Sequence, residues 1–98
     1  MKIISKKQQQ KNNILAKIKS NLEKKCFLCG RPANDLAHIL PKSLFPEYYT
    51  NKRNLIILCR ECHNQFDNNI EFRQQKIELY NIAKQINKQA AIKYFKKY

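Results

Sequence analysis

The stretch "NLIILCRECHNQFD", residues 54–67, decides how this chain is read. "LIILC" is a short, wholly apolar run of the kind that makes a buried strand. "RECHNQFD" then begins a helix. Cys59 and Cys62 sit at the junction, spaced C-x-x-C. A matching pair, Cys26 and Cys29, lies upstream in "CFLC", with twenty-nine residues between the pairs. This doubled spacing matches a four-thiolate zinc site, with each pair forming a tight knuckle and the intervening hairpin bringing the knuckles together. Four thiolates fill a tetrahedron and leave no open position, so the expected Zn2+ is structural. The alternative is four unrelated buried thiols.

A staple of this kind suits a chain of 98 residues, long enough for one domain but with a modest core. The start, "MKIISKKQQQKNN", has no apolar stretch of signal-peptide length. No run approaches the ~20 apolar residues of a membrane span. A cytoplasmic location is therefore expected, with no membrane partner and with reduced thiols rather than disulfides.

The net charge of +13 is unevenly spread. Residues 1–25 carry eight Lys and one Glu, a net +7, and residues 26–67 carry five basic and four acidic groups, a net +1. Residues 68–98 carry seven basic and two acidic groups, a net +5. A near-neutral middle flanked by two basic arms points to a polyanion, and nucleic acid is the commonest one. Solubility of a Lys-, Asn- and Ile-rich chain is the plainer explanation of the same charge.

Outward from the opening stretch, the expected elements follow. Ile14, Leu15, Ile18 and Leu22 have helical spacing within residues 8–24. "CFLCGRPAN" holds the one Gly and a Pro and reads as a turn. "LAHIL" reads as a strand, and "PKSLFPEYYTNKRN" as a loop. Asn68 and Asn69 offer an N-cap, after which residues 70–97 read as one long helix with Phe72, Leu79, Ala83, Ile86 and Ala90 on one stripe. The expectation is one small α+β domain over residues 1–98. It comprises a basic N-terminal helical arm (1–25), a core (26–67) and a basic C-terminal helix (68–98).

Two histidines remain. His38 lies in the apolar run "LAHILP", where a buried, satisfied imidazole is the plain reading. His63 follows Cys62; on a helix it points about 100° away from its neighbour, so Cys62 can face the zinc while His63 faces elsewhere. Asp67 lies one turn on, on the same face as His63. An imidazole and a carboxylate so placed make a half-site for a divalent cation; the alternatives are that His63 is a fifth candidate for the zinc or simply a surface helix residue.

The pieces "CFLC", "AHILPKS", "NLIILCRECH" and "FD", with His38, Asn54 sixteen residues on and His63 nine residues further, together resemble the HNH endonuclease family. The resemblance covers residues 26–67 and not the arms. It implies a ββα-metal (His-Me finger) core: a two-stranded hairpin followed by a helix, with one catalytic metal in the crevice. It implies that His38 is the general base, that Asn54 ties the loop between the strands and orients that base, and that His63 is a metal ligand. Asp67 matches a position where some members place another ligand. One departure is Ala37, where many members carry a further Asp or His ligand. Asp35, two residues earlier, shares that face of the strand but further from the centre.

The implied activity is metal-assisted phosphodiester hydrolysis, with Mg2+, Mn2+, Ni2+ or Zn2+ as the catalytic ion. Duplex DNA is the expected substrate, and a phage or mobile element the expected setting and source of protein partners. Lys42, Arg53 and Arg60 are candidate contacts to backbone phosphates. A zinc-stapled nucleic-acid-binding module without catalysis shares every feature except a need for His38, Asn54 and His63.

Overall fold

The computed structural model describes residues 6–97. It is α+β, with one two-stranded antiparallel sheet and five α-helices among the described residues. Strand β1 (Asp35–His38) pairs with β2 (Leu55–Leu58). The register sets Asp35 against Leu58 and His38 against Leu55. β2 is buried along its whole length, as its unbroken apolar sequence requires. The loop between the strands contains two short 3-10 turns, Pro46–Tyr48 and Lys52–Asn54.

Helix α2 (Arg60–Asn68) starts directly after β2 and packs across both strands. Cys59 is its N-cap, and the Sγ atom accepts from the Cys62 N–H. The ββα unit expected from the sequence is therefore formed. Phe66 of α2 is fully buried and meets Tyr94 and Phe95 edge-on. Around it lie Ile39, Leu40, Leu58 and Leu79, also fully buried.

The C-terminal part departs from the single long helix expected over residues 70–97. It is three helices: α3 (Ile70–Gln75), α4 (Ile77–Ile86) and α5 (Lys88–Phe95). The Asn69 side chain caps α3, as expected, by accepting from the N–H groups of Glu71 and Phe72. The second break falls at Asn87, whose backbone is extended and whose side-chain oxygen accepts from the Ala90 N–H. That is an N-cap inside what reads as a continuous stripe. The break lets α5 fold back on α4 and bury Ala90, Ala91, Tyr94 and Phe95 as well as Leu79 and Ala83. One straight helix could not set both faces against Phe66.

Helix α1 (Lys6–Asn21) stops three residues short of the expected end. Lys24 closes it by donating to the carbonyl groups of Lys19 and Leu22, a cation at the negative end of a helix. Ile14 is exposed, and Leu15, Ile18 and Leu22 are half-buried. The first five residues of the basic arm lie outside the described residues. No helix among the described residues is long and apolar enough to cross a membrane.

Candidate functional site

The two C-x-x-C pairs converge. Gly30, at φ 78, turns the first knuckle and returns its N–H to the Cys26 carbonyl; this left-handed backbone is the one glycine readily adopts. The Phe27 N–H then donates to the Ile57 carbonyl at 2.9 Å and fastens the knuckle to β2. The sulfur atoms of Cys26, Cys29, Cys59 and Cys62 all lie within 4.8 Å of one another, and those of Cys29 and Cys59 are 3.7 Å apart. Zn–S bonds of about 2.3 Å give a tetrahedron with edges of about 3.8 Å, so the cluster is compatible with a structural zinc.

The protein also stabilises the thiolates of Cys26 and Cys29. Burial works against a Cys26 thiolate, but the N–H groups of Cys59, Cys29 and Leu28 outweigh it and its pKa falls. The Arg31 side chain holds Cys29 at about 6. Arg31 donates to both Cys29 and Cys59 and pairs with Glu61 at 3.1 Å. Cys62 is pushed up to about 12 by its burial and then by its sulfur neighbours, a preference that a bound cation reverses.

A second arrangement lies along β1 and α2. His38, Lys42, His63, Asp67 and Tyr94 line one cleft of about 370 Å³. His38 is half-buried, at the end of β1, and its ring stacks parallel to that of Tyr49, with centroids 5.0 Å apart. Its Nε2 is 2.9 Å from the Tyr49 carbonyl oxygen. A carbonyl can only accept, so this contact puts the proton on Nε2 and leaves the lone pair on Nδ1. Burial lowers the His38 pKa, and the Tyr49 carbonyl opposes that in part.

Asn54, at the end of the loop that precedes β2, is fully buried. Its Oδ1 accepts from the Leu40 N–H at 2.7 Å, and its Nδ2 donates to the carbonyls of Leu40 and Tyr48 at 2.9 and 3.2 Å. One side chain thus ties both ends of the loop, immediately beside the carbonyl that His38 uses.

His63 sits between two carboxylates. Its Nδ1 is 3.3 Å from Asp35 Oδ2, and its Nε2 is 3.2 Å from Asp67 Oδ2. When Nδ1–H donates to Asp35, a neutral His63 turns a lone pair toward the Asp67 carboxylate. Two acceptors at that distance require a proton or a metal ion between them. Ligands about 2.1 Å from one ion and at right angles lie about 3 Å apart, so Nε2 and Oδ2 fit a divalent cation. Ala37 is buried and adds no ligand. Asp35 reaches His63 after all, because α2 crosses β1 near its first residue. The carboxylate orients the imidazole from behind.

Among the expected phosphate contacts, Lys42 lies on the cleft with its Nζ 4.5 Å from the Tyr49 ring centroid. Arg60 is turned onto Asp35 at 3.0 Å. Arg53 is exposed on the turn before β2. Sequence reasoning alone does not single out Arg31, which braces the cysteines, or Tyr49, which braces His38. Of these, only Arg31 carries a signal, lying two residues after Cys29.

Searches of curated proteins and of solved structures find no match to this chain. Residues 26–69 match the family model described as HNH endonuclease. The matched segment begins at Cys26 and ends one residue beyond α2, so it takes in both knuckles, both strands, His38, Asn54, His63 and Asp67. Residues 26–69 are therefore similar to the HNH endonuclease family, and the match does not extend to the segments on either side.

Proposed function

We propose that this protein is a metal-dependent endonuclease that hydrolyses phosphodiester bonds, with duplex DNA as the substrate. The observation that carries this reading is His38: its Nε2 is committed to the Tyr49 carbonyl, and it lines one cleft with His63 and Asp67. A half-buried imidazole kept neutral, with Nδ1 as its acceptor, suits a general base.

His63 and Asp67 would hold the catalytic divalent ion, which when bound would supply positive charge to the phosphate and the leaving oxygen. His38 takes the proton of the attacking water at Nδ1. Asn54 and the Tyr49 carbonyl fix the ring so that this acceptor stays aimed. Lys42 meets the phosphate at the rim of the cleft, with Arg53 further out along the backbone. Arg60 acts mainly on Asp35. The basic arms add attraction that is independent of sequence. The four cysteines hold zinc, which suits a reducing, cytoplasmic setting such as that of a phage or mobile-element protein.

A second reading, a nucleic-acid binder without catalysis, draws on Ala37, which leaves the cation two protein ligands. Plasmid DNA and RNA incubated with Mg2+, Mn2+, Ni2+ or EDTA separate the two. The nuclease reading expects cleavage that needs the ion. Binding without cleavage under every metal would favour the binder.

A further inference from the structure

Arg73 lies in α3, beyond the end of the family match. It is only 8 % exposed. Its partners are three backbone carbonyls: Nε donates to Phe66 at 2.9 Å, Nη2 to Asp67 at 2.9 Å and Nη1 to Tyr94 at 3.1 Å. The Tyr94 ring centroid lies 3.9 Å from the guanidinium carbon.

Burying a cation is costly, and an apolar side chain often serves stability as well. The placement of these bonds supplies a reason. Phe66 and Asp67 lie in the last turn of α2, where carbonyls lack helical partners and carry the negative end of the helix. Tyr94 holds the same place in α5. A guanidinium can reach three diverging acceptors in one plane, and an ammonium cannot. Asp67 is also the residue whose carboxylate lies 3.2 Å from His63, and Tyr94 lines the same cleft.

We propose that Arg73 is a positioning residue for the cation site: by gripping the Asp67 backbone it fixes how far the Asp67 carboxylate reaches toward the metal. The helices beyond residue 69 are then part of the site. This rests on the reading that His63 and Asp67 hold a divalent cation.

The test is a double-mutant cycle on Mn2+ affinity, measured on the full, zinc-loaded chain from the paramagnetic resonance signal of free Mn2+. Arg73→Lys should weaken Mn2+ binding by about ten-fold or more, as loss of a supporting group typically does. In the Asp67→Ala background it should change affinity by less than about two-fold, because the group it acts through is gone. Equal loss in both backgrounds, or no loss, overturns the proposal while leaving the cation site intact. A wild-type chain that takes up no Mn2+ overturns both. Should Arg73→Lys fail to fold, the wild type gives a second reading. On titration with Mg2+ its Arg73 Nε–H resonance should shift with the same midpoint as the Asp67 amide. A resonance that does not move to saturation overturns the role given to Arg73.

Discussion

The Nε2–H of His38 donates to the carbonyl oxygen of Tyr49 across 2.9 Å. That bond determines which imidazole nitrogen can accept a proton, and burial determines when. Because burial lowers the His38 pKa below the ordinary 6.5, the ring stays neutral to a lower pH than a free imidazole does. Cleavage should therefore persist at pH 6.5 and fall as the pH drops through the folded-state value. A pH–rate profile at saturating metal checks this; an acid limb centred above 6.5 would count against His38 as the base.

Asn54 should act on both stability and rate. Asn54→Ala leaves the Leu40 N–H and two carbonyls without their partner, which should cost about 3 kcal/mol. Asn54→Asp should be no better, since a buried carboxylate would then face the carbonyls of Leu40 and Tyr48. Denaturant unfolding of both variants provides the measurement, and an Asp variant as stable as wild type would contradict the bonding described.

The zinc site should be a condition of folding. Cys29→Ser removes one of four thiolates, and structural zinc sites contribute on the order of 10 kcal/mol to folding. The variant should lose its metal and unfold the knuckles with β2, to which they are fastened. Metal analysis with circular dichroism decides the point: a folded, metal-free Cys29→Ser protein would show that the cysteines are not a staple.

The basic arm should matter to binding and not to folding. No described side chain of α1 is buried, so removing residues 1–12 should leave the fold intact. Four lysines go with that segment. Each of them that neutralises a phosphate in the wild type should account for about 0.9 of the log–log salt slope, so the truncated chain should show a flatter dependence. Filter binding at several salt concentrations reads this out. An unchanged slope would place those lysines away from the nucleic acid.

What is legible in the sequence is set by local chemistry. "LIILC" reads as a buried strand, and the two C-x-x-C pairs confine the chain on either side of it. His38, Asn54 and His63 are legible as a pattern, because their spacing in this sequence resembles the HNH motif. The C-terminal breaks are hidden, since Asn87 looks like an ordinary polar position until its side chain is seen capping α5. Asp35 looks too distant from the site centre when judged along the strand alone. The helix crossing that brings His63 to it is a tertiary fact. Arg73 gives no sign either, for its acceptors are backbone carbonyls, which leave no mark in a sequence.

Most depends on His38 acting as a base. Wild type and His38→Ala should be compared for plasmid cleavage with Mg2+, Mn2+ and Ni2+, after equal zinc content and equal DNA affinity have been established. The expected result is metal-dependent cleavage by the wild type and a loss of about 10²–10⁴-fold in rate for His38→Ala. Equal cleavage by the two proteins, or none by the wild type with any of these metals, would contradict it.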